Sequence, residues 1–223
     1  MILDAFNREW LGNGGQQLST DLVPSLWHIA AGYAIAVVAG VAIALLLSSV
    51  KILYDASLPL ITFFRGLPSP ALIPALLLIF GLGDGFKVAI IAFGSMWPVL
   101  LNAYDGFQSI SSVQRETARS YHIGRLRQVF FLRLPAASPQ IVAGARVALQ
   151  VSILLMVASE FLAGTQGVGY AIQVAQSNFD TPGIWSGMLL LGVIGIVLNA
   201  LFLLAERGVL YWHTGMTDRQ VRG

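Results

Sequence analysis

Between Asp21 and Lys51 the sequence has no formally charged residue and is mostly Ala, Val, Leu, Ile and Gly. Such a run leaves little choice of fold. In a bilayer a segment has to satisfy its own backbone N–H and C=O groups, and a helix does so without a partner. Residues 25–49 are long enough to cross the hydrocarbon core, which takes about 20 apolar residues. Gly32, Gly40 and several alanines supply a face for close helix packing. Trp27 and Tyr33 lie toward one end, as an interface belt does. His28 reads as an interface residue, because no histidine or carboxylate is spaced to join it.

The pattern recurs. Residues 67–83, 87–106, 135–162 and 184–206 are further apolar stretches, so the chain reads as an all-α membrane protein with about five transmembrane helices. Residues 52–66 read as a short helix entering the membrane region and ending near Arg65 and Gly66. Pro68, Pro70 and Pro74 follow closely, which leaves two readings. One is a broken helix lining a pathway; the other, slightly favoured, is a loop followed by a membrane helix that starts on proline. Pro98 is expected to kink the next span, whose polar members Ser95 and Asn102 either face a polar pathway or bond a neighbouring helix. The span 135–162 carries Arg146, placed to snorkel to the cytosolic side, and Glu160 near its far end. A carboxylate at membrane depth is expensive. Glu160 is either functional or an anchor for backbone N–H groups of the following loop. Arg65, Pro68, Ser95, Asn102 and Glu160 are therefore the candidates for a translocation path.

Composition agrees with the spans. The chain of 223 residues is 56% hydrophobic and 11% charged, with a mean hydropathy of +0.74. A soluble domain has about a quarter of its residues charged, so a soluble monomer is excluded. The net charge of +2 comes from arginines at loop positions and speaks for topology rather than nucleic-acid binding. There is no cysteine, hence no disulfide, zinc-thiolate site or cysteine nucleophile. The three histidines have no metal spacing, and no catalytic constellation is assembled. Residues 1–21 hold a weak amphipathic start and a polar loop, read as external; they fit an interfacial helix or a loose tail, and lack the basic start and apolar core of a cleavable signal.

The loop between the third and fourth spans, residues 111–134, collects Arg115, Arg119, Arg125, Arg127 and Arg133. Ser111 and Gln114 form a capping-box pattern opening a short helix, and Gly124 is where that helix is expected to stop. A second helical piece follows, with Leu126, Val129, Phe130 and Leu134 on one face, and Pro135 suits the first turn of the next span. Arg65, this cluster, Arg207, Arg219 and Arg222 fall on one side of the membrane, with Lys87 and Arg8 on the other. The excess of positive charge marks the cytosolic side, which puts Met1 outside and the tail 214–223 in the cytosol.

Glu116-Thr117-Ala118, followed by a turn and Leu134-Pro135, resembles the EAA loop of ABC importer permeases. Thr117 stands for the usual middle alanine, and His122 stands where the motif has its glycine. The downstream stretches ASEFLAGTQGVGYAI (158–172) and LLAERGVLYW (203–212) are also similar to that family. The likeness covers roughly residues 22–213 and is nearest the branch for nitrate, sulfonate and taurine. It implies the type I importer permease fold in a bacterial inner membrane. It implies that Arg115, Glu116, Thr117, Ala118, Arg119, Ser120, Tyr121, His122 and Gly124, with Leu134 and Pro135, couple the chain to a cytosolic ATP-binding subunit. ATP and magnesium would sit on that partner and no cofactor on this chain. A second permease chain and an external solute-binding protein are the further partners implied, and no nucleic acid. Family members begin with one more helix, which is absent here; a short permease and a truncated start both remain open. Two readings from other classes stand beside this one: an ATP-independent secondary transporter or channel, and a membrane scaffold.

Overall fold

The computed structural model describes residues 6–11 and 16–210. The side chains of Arg115 and Arg119 and the tail 214–223 lie outside the described residues. The architecture is helical. Helix α1 runs Gln16–Ser49 and α2 Lys51–Gly66. A 3-10 turn, Ser69–Leu72, leads into α3, Ile73–Phe80. Helix α4 spans Asp84–Gln108 and α5 Ser112–Ser120. A short α6, Arg125–Gln128, passes through a π-helical turn, Val129–Arg133, into α7, Leu134–Ala163. Helix α8 is Val168–Ser177 and α9 is Thr181–Val209.

Among the described residues, four helical stretches are long and apolar enough to cross a membrane, belonging to α1, α4, the continuous Arg125–Ala163 and α9. A fifth crossing exists only if α2 and α3 count as one span, and the two are bent by 88°. The stretch expected to hold the span 67–83 is a break, a turn and a helix of 8 residues, only about 12 Å long at 1.5 Å per residue. The reason is local. Leu67 is extended (ψ 128), as a residue before proline prefers, and Pro68 follows at φ −65. The break and the helix that starts on proline (Pro74 in the first turn of α3) are both present, with Arg65 exposed in the last turn of α2 and Pro68 exposed in the break.

Helix α4 is central and packs on α1 and α7. The packing is close because small residues sit at the crossings. Gly144 on α7 faces α4 so tightly that a Cβ there would lie 2.8 Å from the Pro98 carbonyl oxygen. That contact is to backbone, which cannot swing away. Ile29, Ile90, Ile91 and Met156 join the three helices in the main apolar core. Helix α4 continues across Pro98, and Asn102 Nδ2 donates to the Pro98 carbonyl at 2.8 Å. Ser95 is buried and its hydroxyl lies 2.9 Å from that of Ser152 on α7. Ser95 thus bonds a neighbouring helix, the second of the two readings, while Asn102 bonds a carbonyl of its own helix. Arg146 pairs with Glu206 of α9 and lies over the Phe202 ring at 5.9 Å, so its charge is met inside the chain. Trp10 from the N-terminal stretch is buried against Val168, Ile172 and Leu190, with its Nε1 donating to Ser186 Oγ at 3.3 Å.

Candidate functional sites at the two ends of the bundle

The cytosolic loop starts as its sequence expects. Gln114 N–H donates to Ser111 Oγ at 3.2 Å and Ser111 N–H donates to Gln114 Oε1 at 3.3 Å, the reciprocal pair of a capping box. The stop differs. Helix α5 ends at Ser120, and His122 takes the left-handed conformation at φ 50. Ile123 N–H closes onto the Ala118 carbonyl at 3.0 Å, the bond that ends a helix when the next residue turns left-handed. Gly124, at φ −60, instead precedes the first turn of α6. His122 occupies a conformation that costs an L-residue roughly 1–2 kcal/mol and a glycine almost nothing. His122→Gly is therefore expected to steady the turn. Amide exchange at Tyr121 and Ile123 should slow by about fivefold, and faster exchange would show that the histidine side chain holds the turn.

Glu116, Thr117, Ser120, Tyr121 and His122 are exposed, whereas Ala118 is 4% exposed. Ala118 is thus turned to the chain itself and not offered to a partner. Glu116 lies beyond the first turn of α5, too far along to support the helix start through the dipole. The second helical piece does not bury the face expected of it: Leu126 and Phe130 are exposed, and only Val129 and Leu134 are half-buried. Pro135 does open α7. Arg133 donates to Ser48 Oγ at 2.7 Å and Ser49 Oγ at 2.9 Å, tying the start of α7 to the end of α1.

At the opposite end of the bundle, sequence reading missed a polar cluster. Glu160 of α7 is completely buried. Its carboxylate accepts the Gly169 N–H at 3.0 Å, and the Ser25 hydroxyl lies 2.8 and 2.9 Å from its two oxygens. His28, also completely buried, has Nδ1 at 3.0 Å from Glu160 Oε1 and Nε2 at 2.9 Å from Asp84 Oδ1. Ser25 Oγ accepts from Val168 N–H at 3.0 Å, and Asp21 accepts from Gly167 N–H at 3.0 Å. Lys87 is buried near the same place, 3.9 Å from Asp84. Helices α1, α4 and α7 and the turn before α8 are thereby joined. Gly167 has φ 117, and a Cβ there would meet the Glu160 carboxylate at 2.3 Å. His28 is a buried bridge between two carboxylates, not an interface residue. Glu160 holds the Gly169 N–H at the start of α8, in the manner of the anchor reading, while Asp21 and Ser25 take those of Gly167 and Val168. The signal available in the sequence was the polarity of Ser25 and His28, one turn apart on a span that is otherwise apolar.

The two ends can be placed in a known family. The family model of the binding-protein-dependent transport system inner membrane component matches residues 36–209. The chain belongs to this family. It is a multi-pass inner-membrane subunit of an ABC importer, and its family works with ATPase and binding-protein partners. This sets aside the ATP-independent carrier and the scaffold. The permease is 30% identical over 202 residues to the nitrate import permease protein NrtB of Leptolyngbya laminosa, covering 90% of this chain and 71% of that protein. It is 30% identical over 155 residues to the taurine transport system permease protein TauC of Escherichia coli, covering 70% and 56%. In fold it is similar to the MetNI methionine ABC transporter in an inward-facing conformation, with TM-score 0.69 at 19% identity over 86% of this chain and 93% of that one. It is also similar to an amino acid ABC transporter, with TM-score 0.61 at 20% identity over 85% and 90%.

Proposed function

We propose that this permease carries a small polar or anionic solute of the nitrate, taurine or sulfonate kind into the cytoplasm, and that α5 is the element through which a separate ATPase drives it. The substrate class rests on the names of the relatives. The coupling role rests on one observation. The short, exposed α5 leads through a tight turn into a helix that is continuous from Arg125 to Ala163. At 39 residues this shaft is about 58 Å long. It reaches from the loop to Glu160 at the external end. A displacement of α5 by a partner is therefore delivered to the far side of the membrane by one rigid element, which is what alternating access requires. ATP and magnesium belong to the partner in this reading. Two copies of the chain pair about a twofold axis, since one set of four or five crossings hardly encloses a path. Arg65 and Pro68, exposed at the α2–α3 break, are the path candidates that remain presented.

Affinity purification of the chain from its own membranes tests the reading. A co-purifying ATP-binding subunit, and uptake of labelled nitrate, taurine or alkylsulfonate by the reconstituted complex with its binding protein, would support it. A folded chain recovered without any ATPase would overturn the coupling role. An active complex that takes up none of the three would overturn the substrate class alone.

A further inference from the structure

At the cytosolic ends of α1 and α4 the chain forms a cavity of about 610 Å³. One wall is polar: Ser48 and Ser49 at the end of α1, with Arg125, Gln128 and Arg133 from the loop. The other is apolar and includes Phe107 and Leu132. Among the described lining residues none is acidic. Arg133 is held in place. Ser48 and Ser49 each donate their hydroxyl to the Leu45 carbonyl, at 3.0 and 2.7 Å, which fixes them as acceptors toward the guanidinium. The Arg133 guanidinium also lies 5.4 Å from the centre of the Phe107 ring. Arg125 is exposed on the same cavity and makes no ion pair with a described carboxylate.

The depth of the cavity matters. Its walls are the last turns of two membrane-crossing helices, so it lies at the level where hydrocarbon gives way to headgroups. Phe130 and Phe131 are 62% and 81% exposed in the same turn as Arg133. Exposed apolar rings at that height suit lipid rather than water. Two guanidiniums and an apolar wall suit a phosphate diester with a glycerol attached, and Arg binds phosphate through paired N–H donors. A partner protein docking below α5 would stand further from the bilayer.

We propose that this cavity holds the phosphate of an anionic phospholipid headgroup from the cytoplasmic leaflet, with Arg133 as the fixed donor and Arg125 as the one that closes on it. The bound lipid would bridge α1, α4 and the start of the Arg125–Ala163 shaft. The chemistry is that of a phosphate anion, and free phosphate is the other source to be separated.

Native mass spectrometry of the purified full chain tests this, with phosphatidylglycerol, phosphatidylcholine or inorganic phosphate added in turn. Phosphatidylglycerol is expected to remain bound and the other two not. Arg125→Gln, at an exposed site where folding is unaffected, should weaken retention by about fivefold, the usual effect of one basic residue against an anionic membrane surface. Arg125→Lys should restore most of it. Equal retention of phosphatidylglycerol by wild type and Arg125→Gln would overturn the proposal. So would equal retention of phosphatidylcholine. Displacement of the lipid by millimolar phosphate would make this a free-anion pocket, and displacement by the ATPase subunit would make it part of the partner interface; either overturns a lipid site.

Discussion

Glu116→Lys is expected to abolish ATP-driven uptake while the permease stays folded in the membrane. Glu116 is exposed on α5 and makes no hydrogen bond or ion pair with another described residue, so its replacement removes nothing from the fold. Its neighbours Thr117 and Ser120 are exposed as well, which leaves α5 a polar surface standing off the apolar bundle. If that surface meets a basic group on the ATPase, reversing the charge turns an attraction into a like-charge contact that costs several kcal/mol. Each 1.4 kcal/mol is about tenfold in affinity, so docking should weaken by about a hundredfold or more. The measurements are uptake in cells, recovery of the ATPase with the purified chain, and the melting temperature of the chain. Unchanged uptake would sink the docking role of α5. Lost uptake with a lowered melting temperature would mean that Glu116 acts in folding.

Glu160→Ala should have the largest effect on stability. The substitution leaves the His28 ring facing one carboxylate instead of two, strips the Gly169 N–H of its acceptor and leaves the Ser25 hydroxyl only the Asp21 carbonyl. Removing one partner of a buried, hydrogen-bonded charge costs about 3–5 kcal/mol, against a total stability of about 5–15 kcal/mol for a folded domain. The chain should be recovered poorly from membranes and lose its cooperative thermal transition in detergent. Glu160→Gln keeps the shape and one acceptor oxygen, and should cost about 1–3 kcal/mol. A Glu160→Ala chain as stable as wild type but unable to transport would contradict the anchor reading and return Glu160 to the translocation path.

The loop and the external cluster differ in how far they could be read in advance. The capping box at Ser111 and Gln114 spans three residues, and so does the steric effect of a proline on the turn before it. Local hydrogen bonds and local sterics of this kind leave a pattern within a window of sequence. The turn after α5 was misplaced by two residues because glycine is the usual left-handed residue and His122 takes that role instead. The inward side of Ala118 was not legible either, since the two apolar residues of this short helix, Val113 and Ala118, lie on different sides of it and only Ala118 is covered.

The sequence by itself determined the membrane class, the positions of the four long apolar helices and the expectation that the arginine loop lies on the cytosolic side. Each of these follows from transfer free energy summed over a contiguous stretch, or from charge counted beside it, and neither needs a partner from elsewhere in the chain. Pro68 marks the break between α2 and α3 in the sequence; tertiary structure alone decided its 88° angle. It alone decided that His28 joins Asp84, 56 residues away, and Glu160, 132 residues away. A buried charge has to find its counter-charge where the fold brings one, and the distance along the chain gives no sign of it.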